Sequence, residues 1–220
     1  MKPSLILLAL SGFAMLPALA GTEGQVDAAK SELNAALAIK GDPEKGKIAY
    51  ETCRGCHKAD GAGRNDAKYP QLAGQHATVL IKQMADIRAG RRENEKMHPF
   101  VEQDEVSTEG LAHIAAYLAS LPIPANNGKG SGKQLVHGQA LYERDCATCH
   151  GARGEGDAGK FIPRVAGQHY SYMVRENKAI QSQTGKRRDA DPKMVKAISA
   201  YSASDIAAVS DYMSRLGATP

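Results

Sequence analysis

The sequence predicts an all-α chain made of two tandem copies of one small unit. Three observations carry this. The only four cysteines fall in two C-x-x-C-H pentads, at residues 53–57 and 146–150. Their surroundings repeat at the same interval of 93 positions, so that "YPQLAGQH" at 69–76 falls on "IPRVAGQH" at 162–169. Apolar residues recur at helical spacing, and nothing alternates with period two over enough residues to suggest a sheet.

The first twenty residues, MKPSLILLALSGFAMLPALA, set a charged start before an apolar stretch and end in an A-x-A site. This is the pattern of a cleaved secretory signal peptide, residues 1–20, and it predicts a chain exported to the periplasm. As a membrane span it is too short, and no later stretch is apolar enough to cross a bilayer. Residues 21–41 form an N-terminal extension that can be helical. In the first copy, residues 42–121, Asp42-Pro43 reads as an N-cap followed by Pro at the first helical position, opening a helix that runs to about Tyr50. A middle helix follows over 75–89, with Val79, Leu80, Met84 and Ile87 on its apolar face and Gly90 as its stop. Ser107 caps a last helix bearing Leu111, Ile114, Ala115 and Leu118 on one face.

Residues 122–134 are rich in Pro, Gly, Asn and Ser and read as an exposed linker. The second copy, residues 135–220, repeats the plan. Its last helix starts at Ser202, where Ser202-x-x-Asp205 resembles a capping box. There the offset between copies has drifted to 95, which places a small insertion around 185–193. Gly46 and Tyr50 on the first helix recur as Gly138 and Tyr142, and Tyr117 on the last helix recurs as Tyr212. A small residue on one helix and an aromatic on the other predict a close crossing of first and last helices in each copy.

The pentads carry the chemistry. Disulfides within C-x-x-C would close only tiny loops. A thioredoxin-like pair needs a βαβ context that is absent. A zinc site of all four cysteines would leave both following histidines without a role. C-x-x-C-H is the attachment signature of c-type haem, in which two thiols add to the vinyl groups of one porphyrin edge and the next imidazole meets the iron. Two covalently bound haem c follow, held by Cys53 and Cys56 in the first copy and Cys146 and Cys149 in the second. His57 and His150 are the axial ligands on one side. Pro70 and Pro163, each 13 residues past its histidine, are the candidates to accept the imidazole Nδ1 hydrogen.

The sixth ligand separates carrier from enzyme. Met84, Met173 and Met213 lie on apolar helix faces and read as core. Met97 in "NEKMHPF" and Met194 in "DPKMVKA" fall in the long loop between middle and last helices and are the candidates to reach the irons. His98 rivals Met97 by position, and His76 and His169 rival both by type.

Taken together, C-x-x-C-H, then P-x-L/V-A-G-Q, then G-x-R with a Met, then a helix of L/I-A-x-x-x-x-Y form, all present twice, resemble the dihaem cytochrome c4 family over the chain from about residue 42. The resemblance implies two class I cytochrome c domains facing each other, with His57/Met97 and His150/Met194 as axial pairs. It implies an electron carrier rather than an enzyme, working in the periplasm, often membrane-associated. Its partners would be a redox protein donor and acceptor, the acceptor being a membrane-bound terminal oxidase of the respiratory chain. Two features depart from the family pattern: the extension 21–41, and unequal His-to-Met intervals of 40 and 44 residues. The sequence also admits a haem subunit of a larger dehydrogenase, such as a sulfide-oxidising flavocytochrome. A dihaem enzyme such as a peroxidase would need acid–base residues beside an open iron, and no such cluster is seen.

The formal net charge is +4. Two basic stretches, Lys82, Arg88, Arg91, Arg92 and Lys96 in the first copy and Lys186, Arg187, Arg188, Lys193 and Lys196 in the second, predict docking on an acidic partner or anionic lipid surface. An exported haem protein is not expected to bind nucleic acid.

Overall fold

The computed structural model describes residues 20–182 and 186–217. The signal-peptide reading therefore falls almost wholly outside the described residues, as does part of the insertion. Among those described, ten α-helices and three short 3-10 turns appear, and the only β contacts are two isolated bridges.

The extension 21–41 is largely helical. Helix α1, Ala20–Leu37, lies against the first domain. That domain holds α2 (Pro43–Ala49), α3 (Arg54–His57), α4 (Ala77–Arg88) and α5 (Thr108–Ser120). The second holds α6 (Leu135–Asp145), α7 (Ala147–His150), α8 (Tyr170–Ser182), α9 (Pro192–Ile198) and α10 (Ala203–Arg215). The caps fall where the sequence placed them. The Asp42 side chain accepts from the N–H groups of Glu44 and Lys45, Ser107 accepts from Gly110, and Ser202 and Asp205 form a full capping box.

The crossings of first and last helices rest on two glycines. A Cβ built on Gly46 would lie 1.9 Å from the His113 carbonyl oxygen, and one on Gly138 would lie 2.2 Å from that of Ala208. No other residue lets α2 meet α5, or α6 meet α10, at this separation. The tyrosines pack across both crossings, with ring centroids 5.5 Å apart for Tyr50–Tyr117 and 5.5 Å for Tyr142–Tyr212. Their hydroxyls donate to the carbonyls of Lys58 and Gly151, at the ends of the two pentads. Each domain closes its own core: Leu80, Met84, Leu111, Ile114 and Leu118 in the first, and Leu141, Met173, Ile206, Val209 and Met213 in the second.

The structure extends one expectation and departs from two others. Residues 122–134 are exposed or half-buried, yet they are held in place. Asn127 donates to the carbonyls of Gln168 and Ser214, the Gly128 N–H donates to His169 Nδ1, and the N–H groups of Gly130 and Gly132 donate to Asp211. The segment is strapped along the second domain because its glycines bring unpaired amides to a buried carboxylate. Met194 does not sit in a loop. It lies on α9, which Asp191 caps and Pro192 opens. The third concerns charge. Arg92 and Arg187 are not solvated but meet each other in an antiparallel bridge between the domains. Arg92 pairs with Glu176 at 2.8 Å and with Asp189 at 3.4 Å. Arg187 pairs with the same two carboxylates.

Candidate haem sites

Each pentad folds as one short turn of helix, α3 or α7, placed just after the first helix of its domain. In the first, the Cys56 and His57 N–H groups bond back to the Cys53 carbonyl; in the second, Cys149 and His150 do the same to Cys146. In the first domain this turn sets both sulfurs and the imidazole along one cavity wall. His57 Nδ1 donates to the Pro70 carbonyl at 3.2 Å, and His150 Nδ1 to that of Pro163 at 2.9 Å. A carbonyl can only accept, so Nδ1 carries the hydrogen in both rings. Nε2 is left as a lone-pair donor with no partner among the described residues. Burial holds both histidines below their ordinary pKa, against the opposing pull of the proline carbonyl. Both are therefore neutral imidazoles, as a metal ligand must be.

A cavity of about 220 Å³ opens beside the first pentad. Cys53, Cys56 and His57 line it together with Met97, and Leu72, Leu80, Met84, Ile87, Ile114 and Leu118 supply apolar walls. In the second domain Met194 packs on the same apolar cluster as Cys146, Met173 and Ile198. None of the four cysteines is in a disulfide. Among the described residues no three His, Cys, Asp or Glu side chains gather into a metal cluster, so the four thiols are not assembled as a zinc site. Two thiols, a neutral imidazole and a thioether around an apolar cavity fit a covalently held haem, whose edge the cysteines would bond and whose iron His57 would meet. Burial pushes the Cys53 thiol up to about 11 and the Cys146 thiol up to about 12. Both are neutral before attachment.

The rival histidines are engaged elsewhere. His98 pairs with Glu102 at 3.0 Å. His76 Nε2 donates to the Glu155 carbonyl at 2.8 Å, and His169 Nε2 donates to that of Ala62 at 2.7 Å. These last two bonds cross between domains, and they belong to a reciprocal set. The Gln168 side chain accepts from Gln71 N–H and donates to Gln71 C=O, both at 2.9 Å. The Gln75 side chain does the same to the backbone of Arg164, again at 2.9 Å for both bonds. Gln71 and Arg164 are repeat partners, as are Ala62 and Glu155. The A-G-Q-H motif thus builds a pseudo-two-fold seam. The sequence offered His76 and His169 only as rival ligands; the signal available for the seam was that Gln and His both recur where a turn needs only the glycine.

Tyr172 and Arg175 of the second domain also line the first cavity, beside Arg92. Arg92 donates to the Tyr172 hydroxyl at 2.9 Å. Glu176 and Asp189 are each pushed up by burial, but their arginines overcome it and hold both below the usual carboxylate range.

The Cytochrome c family profile matches residues 43–122 and again 135–217. Cytochrome c4 of Pseudomonas aeruginosa is 33% identical over 185 residues, covering 80% of this chain and 89% of that protein. The thiosulfate dehydrogenase electron acceptor of Stutzerimonas stutzeri is 32% identical over 179 residues, covering 77% and 81%. The crystal structure of reduced recombinant cytochrome c4 from Pseudomonas stutzeri superposes with a TM-score of 0.71 at 28% identity, over 80% of this chain and 99% of that one. With two Cytochrome c matches, each holding a C-x-x-C-H pentad, the chain carries two covalent haem c and transfers electrons; it belongs to the dihaem cytochrome c4 family of electron carriers.

Proposed function

We propose that the chain is a periplasmic shuttle whose irons are ligated by His57 and Met97 in a first domain, residues 42–121, and by His150 and Met194 in a second, residues 135–220. It passes electrons from a redox protein donor towards a membrane-bound terminal oxidase. The observation that carries this reading is the convergence of Cys53, Cys56, His57 and Met97 on one apolar cavity. When bound, each haem supplies a one-electron ferric/ferrous couple, and a thioether ligand favours its reduced state relative to bis-imidazole ligation.

The chain's own residues set the conditions for that couple. Pro70 and Pro163 orient the imidazoles and raise their basicity. The apolar walls keep water away, and the Gln and His bonds of the seam hold the two sites in one fixed relation. Export is supported by the charged, apolar and A-x-A pattern of residues 1–20. A second reading, as the acceptor of a partner dehydrogenase, is supported by the likeness to the thiosulfate dehydrogenase electron acceptor.

The fully reduced protein should not bind carbon monoxide rapidly at neutral pH. Met194→Ala should open one iron and remove about half of the ferric sulfur-to-iron absorption band, since two similar sites contribute. Rapid stoichiometric binding to the native protein would return the reading to an enzyme, and an intact band in Met194→Ala would remove Met194 as a ligand. Reduction by a thiosulfate dehydrogenase, set against oxidation by a haem–copper oxidase, separates the two partner readings.

A further inference from the structure

Helix α1 lies outside the family match, which begins at residue 43. It is nonetheless built into the first domain. Ala29 and Ala36 are buried, and Leu33 and Leu37 pack on the core that holds Tyr50, Leu80 and Met84. Its Glu32 carboxylate is paired with Arg88, the last residue of α4, and both side chains are largely covered.

Arg88 spends its remaining donors on one stretch of chain. Its Nε donates to the Val101 carbonyl, Nη2 to that of Val106, and Nη1 to the Gln103 side chain as well as to Glu32. Val101 and Val106 are both buried. They bracket the irregular segment that follows Met97, between the 3-10 turn His98–Phe100 and α5. Carbonyls in such a segment have no helical partner, so Arg88 supplies what the local backbone cannot.

The second domain solves the same problem differently. The residue 93 positions after Arg88 is Gln181. Its Nε2 donates to the carbonyls of Ile198 at 2.9 Å and Tyr201 at 2.7 Å, and Tyr201 is the repeat partner of Val106. A neutral amide needs no counter-ion. A covered guanidinium does, and in the first domain Glu32 of α1 provides it.

We propose that α1 is a strut for the ligand-bearing segment of the first haem: Glu32 fixes Arg88, Arg88 fixes residues 101–106, and these fix Met97. Glu32 and Arg88 are positioning residues. The inference rests on Met97 being the axial ligand, as proposed above.

The test uses the complete dihaem protein in its ferric form. Added imidazole displaces the methionines and is followed through the sulfur-to-iron band. Met97→Ala identifies which phase of the titration belongs to the first haem. Glu32→Ala should lower the imidazole concentration needed for that phase by about tenfold, the size of one partly buried charged hydrogen bond, and leave the other phase in place. Glu32→Gln keeps size and hydrogen-bonding capacity and should shift it less. Arg88→Gln imports the arrangement of the second domain, so adding Glu32→Ala to it should have no further effect. A first-haem phase unmoved by both Glu32 variants overturns the strut, as does full additivity with Arg88→Gln. Loss of no phase in Met97→Ala overturns instead the ligation on which the strut rests.

Discussion

Gln168 shows what one side chain does at the seam. Its amide completes both backbone hydrogen bonds of Gln71, and both residues are buried. Gln168→Ala leaves a buried N–H and a buried carbonyl without partners, which should cost about 1–3 kcal/mol in denaturant unfolding of the dihaem protein. Gln75→Ala should cost less, because the Arg164 backbone it serves is only partly buried. An equal loss from both would mean that burial does not set the penalty. The recurrence of Gln75 and Gln168 was legible in the sequence, but their partners were not. A side chain that reaches into another domain obeys no fixed spacing, whereas the pentad cysteines and histidines, and the prolines 13 residues beyond, are tied to one local turn.

Helix ends and crossings were the most legible elements, because a cap or a close approach demands one residue type at one position. Gly138→Ala places a methyl carbon 2.2 Å from the Ala208 carbonyl oxygen and must drive α6 from α10. The expected loss is about 1–3 kcal/mol, the range for overpacking, read as earlier denaturant unfolding at the second haem. An unchanged midpoint would show that the crossing has slack. Within the basic stretches, the burial of Arg92 and Arg187 in ion pairs was not legible, for a different reason. Charge is visible in a sequence, but its counter-charge on α8 and beyond is not. Glu176 and Asp189 titrate below the usual carboxylate range in the folded protein. Their pairing with Arg92 and Arg187 therefore stabilises fully above about pH 4–5 and is lost as pH falls through the ordinary carboxylate range and below it. Glu176→Gln should flatten that acid-side decline in melting temperature; an unaltered decline would place the acid sensitivity elsewhere.

At the scale of the whole molecule, charge is unevenly shared. Residues 42–121 hold 11 Lys and Arg against 12 Asp and Glu, whereas residues 135–217 hold 12 against 9. Within the second domain Lys178, Lys186, Lys193 and Lys196 are exposed and have no ion-pair partner among the described residues. They, rather than Arg187, are the charges free to meet an acidic partner. Lys193→Glu with Lys196→Glu should slow electron exchange with such a partner and flatten its salt dependence without altering stability. Arg187→Glu should instead weaken the seam. If the lysine pair leaves rate and salt slope in place, the partner docks elsewhere. The two-copy plan was plain from the repeat, but the way the halves face each other was not, since nothing in a tandem repeat dictates which surface is shared. The seam itself has a further consequence. Each half offers the other the same glutamine and the same receiving backbone, so the face is complementary to its own copy. That is the requirement for an isologous dimer. A single-domain ancestor bearing the A-G-Q-H turn would already have owned the contact, and joining two genes end to end would have turned a concentration-dependent pair into a permanent one without the need to invent an interface.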